Sequence, residues 1–261
     1  MGNEEDRKNI KIDNIIAKGG FSTIYRIEKD NKYYALKKYD TIPKDEENEF
    51  HKIFHVISNL NNPNIIKYYY LYMDKNSYKI IMEYGGNTNL RQLIQKYIAK
   101  YELIDEKIIY DIIIQICLGL KELHTNKIIH RDLKPEKIII NKDNKIKIAG
   151  FSISKVLNSK EDYLRDMVGT YYYMAPEIMK GKEYNQKIDI FSLGCILYEL
   201  LTLNEYYIDK KDEKETHINS DIYNLKWQEL IDLLLQEDYN ARPDIEECIN
   251  RIQLIKNEIQ Q

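Results

Sequence analysis

Cysteine is scarce: Cys117, Cys195 and Cys248 are the only three among 261 residues, and none has C-x-x-C spacing. Each lies in an apolar stretch of helical periodicity. That excludes a disulfide framework or a thiolate zinc site, and predicts reduced core thiols in an intracellular, cytoplasmic protein. Excess positive charge is missing too. The formal net charge is −3, which argues against a nucleic-acid partner or a polybasic membrane anchor. No apolar run reaches the length that crosses a bilayer, and no leader pattern opens the chain. Gly2 raises N-myristoylation, but position 6 of that motif wants Ser or Thr and holds Asp6. Phe and Trp are few, 5 and 1, against 23 Tyr. The runs Tyr68–Tyr70 and Tyr171–Tyr173 have no basic patch beside them, so they are not read as base-stacking platforms. Internal repeats and low-complexity linkers are absent, and the length suits one unit with a substantial core.

What is present centres on Lys127–Ser152. The polar loop His130-Arg131-Asp132-Leu133-Lys134-Pro135-Glu136-Lys137 sits between apolar runs. Ile138–Ile140 and Ile146–Ile148 then flank a turn-rich connector and predict a hairpin. Upstream, residues 10–40 read as strands, and apolar residues at helical spacing predict a helix over Pro43–Leu60. Ile65–Asp74 and Tyr78–Tyr84 read as further strands. Asn89–Lys100, Asp105–His124 and residues 244–261 read as helices.

The central stretch resembles the catalytic loop and metal-binding hairpin of the eukaryotic protein-kinase family, H-R-D-L-x-x-x-N followed by D-F-G. Other pieces come in the family's order. Ala17-Lys18-Gly19-Gly20-Phe21-Ser22-Thr23-Ile24 resembles the glycine-rich loop with only its middle glycine kept, and Tyr34-Ala35-Leu36-Lys37 resembles V-A-I-K. Met82-Glu83-Tyr84 resembles the gatekeeper and hinge. Gly169-Thr170-Tyr171-Tyr172-Tyr173-Met174-Ala175-Pro176-Glu177 resembles the end of the activation segment. Asp189 opens a D-x-W-S-x-G-like helix, and Arg242 matches the arginine that pairs with Glu177. The resemblance spans about residues 10–255 and implies an α+β bilobal kinase fold over 1–261. The expected N-lobe, about 1–85, is an antiparallel sheet plus one helix, and the C-lobe, about 86–261, is mainly helical.

The resemblance implies a role for each matching position. Asp132 takes the place of the acceptor of the substrate hydroxyl proton, with Lys134 and Thr170 marking the Ser/Thr type. Ala17, Gly19, Ser22, Ile24, Ala35, Lys37, Met82, Glu83, Tyr84, Ile139 and Lys137 fall on nucleotide-site positions. His130 and Phe151 match an apolar spine, with Ile57 as neighbour. Asp189 would brace the catalytic loop. Arg131 would meet an activation-loop phosphate, for which Glu161, Asp162 or Asp166 offers a fixed substitute.

The departures concern metal. Lys137 stands where the family has its metal-binding Asn, and Gly150 where it has the Asp of D-F-G. Counting back from Pro63 puts Ile53 at the carboxylate partner of Lys37, with Glu49 a helical turn earlier. Lys37, Lys134 and Lys137 then accompany Asp132, a set suited to an anion without metal. The leading expectation is a pseudokinase: a scaffold or allosteric partner of a kinase or larger assembly, with no metal ligands, no Mg²⁺, and ATP bound weakly or without metal. The alternative is an active ATP-dependent Ser/Thr kinase with unconventional metal handling, and a third reading is a nucleotide sensor.

Overall fold

After Ile10 the chain forms three antiparallel strands, β1 (Lys11–Lys18), β2 (Ser22–Lys29) and β3 (Lys32–Tyr39), of which β3 is buried through Ala35–Lys37. Asp30 and Asn31 both have positive φ, 51° and 59°, as the two central residues of a tight hairpin turn require. Lys75 and Asn76 do the same, at 46° and 62°, between β4 (Tyr68–Asp74) and β5 (Ser77–Glu83). The five strands form one sheet, in the order β1-β2-β3-β5-β4. Its core holds Ile27, Leu36 and Ile81, and α1 (Glu47–Asn59) buries Ile53 and Ile57. The helix begins later than the expected Pro43 because Pro43 closes a turn, accepting from the Glu46 N–H at 3.0 Å. Likewise β4 begins at Tyr68 rather than Ile65. The Ile65 N–H is used in a turn to Asn62 O at 3.2 Å, while Ile65 and Ile66 are buried outside the strand.

The computed structural model describes residues 10–20, 22–157, 163–206 and 217–259. Its contacts fall into two compact units, 1–87 and 88–261. The second begins with β6 (Thr88–Asn89), which pairs with β8 (Ile138–Ile140), itself paired with β9 (Ile146–Ile148). β7 (Ile128–Ile129) pairs with β10 (Lys155–Val156). Helices supply the rest. α2 (Leu90–Lys100) opens with an Asn89–Gln92 capping box, and α3 (Glu106–Thr125) with an Asp105 cap. α4 is the short Pro176–Met179 segment. α5 (Lys187–Thr202) is buried from Ile188 to Leu201 and forms the centre of this unit. α6 (Lys226–Leu234), which the motifs and periodicity did not announce, packs on α5 and buries Trp227, whose Nε1 donates to Glu106 Oε1 at 2.8 Å. α7 (Ile245–Ile259) packs on α3. The result is an α+β chain: a sheet with one helix, then a mainly helical unit.

Candidate active site

The loop from His130 to Lys137 is irregular, so its backbone needs partners outside regular structure. α5 supplies them. The buried Asp189 carboxylate accepts from His130 N (2.9 Å), Arg131 N (3.0 Å) and His124 Nε2 (3.0 Å). These donors hold the Asp189 carboxyl below its usual range despite burial. The expected bracing role of Asp189 is thus what the geometry shows. His130 Nδ1 faces the Asp132 N–H at 3.3 Å and Nε2 faces Ala149 O at 3.0 Å. An acceptor on one side and a donor on the other define the neutral Nε2–H form. Burial, which pushes the His130 pKa down, agrees. The His130 and Phe151 rings meet edge to face at 5.3 Å, as the spine reading expects of this pair.

Asp132 stands among cations. Lys134 Nζ lies 3.3 Å from its Oδ1 and Lys137 Nζ 3.7 Å from its Oδ2. Thr170 Oγ1 donates to Oδ1 at 2.6 Å and accepts from Lys134 Nζ at 2.5 Å. The Lys137 side chain runs past Gly150, whose φ is +93°. A Cβ at position 150 would lie 2.5 Å from Lys137 Cδ. Glu136 is engaged with Arg91 at 2.8 Å, and Asp143 lies in the tip of the β8–β9 hairpin, where its backbone N–H donates to Asn141 Oδ1 at 2.9 Å.

Arg131 gathers the downstream segment. Its Nε donates to Ile153 O at 2.5 Å, and its Nη1 donates to Asp166 and, at 3.0 Å, to Tyr184 Oη. Tyr184 Oη in turn donates to Asp166 Oδ1 at 2.9 Å. The guanidinium and the phenol hold the Asp166 carboxyl below its usual range. Of the three carboxylates expected near Arg131, Asp166 is the one in place; Glu161 and Asp162 lie outside the described residues. Gly169, at φ +116°, brings the segment so close that a Cβ would sit 2.8 Å from Arg131 O. Beyond it, Glu177 and Arg242 form a two-pronged buried pair at 2.6 and 2.8 Å, as the motif match expects.

The first unit carries the remaining positions. Ala17 pairs with Ile24 across β1 and β2, and the Gly19 N–H closes the turn on Ser22 O at 2.9 Å. A Cβ on Gly19 would meet nothing closer than 3.6 Å, so the fold itself does not demand glycine there. Ala35 is buried opposite Met82. Lys37 is 96% buried, between Ile24 and Ile80, with its ammonium 4.7 Å from the centre of the Tyr39 ring. Ile53, at the expected partner position, faces the core, and Glu49 is half-buried one turn before it. Glu83 N donates to Lys67 O at 2.8 Å, and the Tyr84 hydroxyl bonds Asn87. In the second unit Ile139 is half-buried on β8, opposite Lys147 and Asn89.

Sequence reasoning missed Arg91. From α2 it bonds Glu136 beside the loop, Glu199 of α5 and the Tyr173 hydroxyl, with Glu205 at 3.3 Å. Tyr173 also donates to Glu199 Oε2 at 2.7 Å. A signal existed: Glu199 lies inside a long apolar run, and a carboxylate there needs a cation.

Comparison with known proteins finds serine/threonine-protein kinases among the relatives of this chain. The serine/threonine-protein kinase Nek1 of Mus musculus is 36% identical over 196 residues, 74% of this chain and 16% of that protein. The probable serine/threonine-protein kinase nek2 of Dictyostelium discoideum is 30% identical over 254 residues, 90% of this chain and 60% of that protein. The serine/threonine-protein kinase Nek8 of Danio rerio is 35% identical over 248 residues, 90% of this chain and 35% of that protein. The chain therefore spans 16–60% of the length of these relatives. Residues 10–253 match the protein kinase domain from the first strand to the last helix, and the chain belongs to the protein kinase family.

Proposed function

We propose that this chain is a pseudokinase: a kinase-fold protein that works by binding a protein partner, as scaffold or allosteric subunit, and not by transferring phosphate. The observation that carries the reading is the company of Asp132, bracketed by the ammonium groups of Lys134 and Lys137 beside a glycine at position 150. Mg²⁺ takes hard oxygen ligands in near-octahedral array. Here one carboxylate is shared by two cations, and Gly150 has no side-chain oxygen. The residues present do not fit the divalent ion.

ATP remains a candidate ligand in this reading, taken up without Mg²⁺. Lys37, buried on β3, is the expected phosphate contact, and Gly19 is a glycine that its own turn does not require. The net charge of −3 supports a protein partner over nucleic acid. Three buried free thiols suit an intracellular setting, and among the described residues no helix is long and apolar enough to cross a membrane.

A second reading, an active Ser/Thr kinase, is favoured by the intact Asp132–Thr170–Lys134 hydrogen bonds. Losing the metal clamp removes transition-state stabilisation worth on the order of a thousandfold in rate. A phosphotransfer assay with radiolabelled ATP, Mg²⁺ and a generic Ser/Thr substrate decides between them. The proposal expects turnover no higher than that of Asp132→Asn. Mg²⁺-dependent transfer that disappears in Asp132→Asn would overturn it. In parallel, a rise in melting temperature with ATP that survives excess EDTA is the expected sign of metal-free binding.

A further inference from the structure

The Lys137 side chain and the bare Gly150 are neighbours by construction. The Ala149 N–H donates to Lys137 O at 2.9 Å, immediately beyond the β8–β9 ladder, where Ile138 faces Ile148. This bond fixes the backbone at 137 against the backbone at 149, so the space beside position 150 is where the Lys137 stem runs. A Cβ there would come within 2.5 Å of Cδ, 3.1 Å of Cε and 3.3 Å of Cγ. Three methylenes of the lysine fill the volume that a side chain at 150 needs. The same stem carries its ammonium to 3.7 Å from Asp132 Oδ2, on the side of the carboxylate away from Lys134 and Thr170.

We infer that Lys137 and Gly150 are a single coupled device, a tethered ammonium that serves Asp132 as a built-in counter-cation and bars a divalent ion from this face. The device rests on the pseudokinase reading for its meaning and on geometry alone for its existence. One carboxylate with two ammonium groups leaves a net positive charge. A second carboxylate added at 150 would have to displace the lysine stem before it could hold a metal. A ligand at this face is therefore a phosphate-bearing anion taken without its metal. Neither substitution is neutral without the other. Removing Lys137 alone takes the ammonium from the Oδ2 side of Asp132. Replacing Gly150 alone drives a side chain into the lysine.

The pair is testable by a double-mutant cycle in the full chain. Gly150→Ala is expected to lower the melting temperature strongly with Lys137 present. On a Lys137→Ala background the drop is expected to shrink, leaving only the backbone strain of a non-glycine residue at positive φ. Equal drops on both backgrounds would overturn the coupling. This readout uses no ligand, so its failure is distinct from that of the pseudokinase reading, which the phosphotransfer assay decides. The metal half is read by electron paramagnetic resonance of added Mn²⁺, with no nucleotide present. The parent, Lys137→Asn and Gly150→Asp are expected to leave Mn²⁺ free. The double variant, Lys137→Asn with Gly150→Asp, is expected to take it up at least about tenfold more tightly than either single variant. Uptake by Lys137→Asn equal to that of the double variant, or none by a folded double variant, would overturn the assignment.

Discussion

Arg91 satisfies more partners than any neighbour on α2. Its guanidinium serves the nearly buried Glu199, the exposed Glu136 and the Tyr173 hydroxyl. Removing one member of such a buried pair leaves a charge without compensation, which costs about 3–5 kcal/mol. Arg91→Met should therefore destabilise the protein by roughly that amount, read as a shift of the urea midpoint at unchanged slope. Burial already raises the Glu199 pKa. Without Arg91 the carboxyl can escape its isolation by taking a proton, so the deficit should be smaller at pH 5 than at pH 8. A deficit independent of pH would show that packing, not charge, is what Arg91 supplies. At this scale the sequence was legible wherever a motif fixes both partners, as for Asp189 with the loop backbone and Glu177 with Arg242. It was opaque wherever a long side chain chooses its direction. Nothing in the order of residues says that Lys137 folds across Gly150, or that Arg91 turns toward α5.

Among the elements, the segment from Leu164 to Gly169 is held by a backbone bridge and side-chain bonds, not by a helix or a named strand. Leu164 and Tyr184 exchange backbone hydrogen bonds at 2.9 Å, and the Arg131–Asp166–Tyr184 cluster secures the residues just after Leu164. The Asp166 carboxylate meets Arg131, the arginine that the sequence reading expected to face an activation-loop phosphate. Asp166→Asn keeps the shape and removes the charge. It should raise hydrogen exchange at the Leu164 and Tyr184 amides several-fold while leaving α5 unchanged. Unchanged exchange at both amides would show that the backbone bridge suffices. The elements whose ends carry capping residues, α2 and α3, were read from sequence nearly to the residue, since Asn89 and Asp105 announce their starts. α1 was read too long at its start because the polar run from Pro43 to Glu46 folds as a turn leading directly into the helix, and no residue marks where the turn ends and the helix begins. α6 escaped notice because its buried face is short and depends on contacts with α5.

For the whole molecule, His130, Asp166 and Asp189 each contribute to the loss of stability toward acid. His130 is held neutral, with its pKa below the ordinary value. The unfolded chain thus binds a proton first as pH falls past about 6.5, and stability declines from there. Asp166 and Asp189 are held below the usual carboxylate range, so their contribution is complete above about pH 4 and is lost as pH falls through their lowered values. Unfolding free energy measured from pH 8 to pH 3 should show a shallow decline and then a steeper one. A flat profile between pH 6.5 and 5 would mean that His130 is protonated in the folded chain. The division into a sheet unit and a helical unit was legible because strand and helix periods differ along the sequence.

The Lys137 stem against Gly150 also bears on how such a sequence changes over generations. A mutation that introduces an acidic residue at position 150 meets the lysine first, and one that introduces an amide at position 137 finds no carboxylate opposite at position 150. The inferred coupling predicts that positions 137 and 150 change together among related chains, a pattern that pairwise substitution at the two positions would reveal.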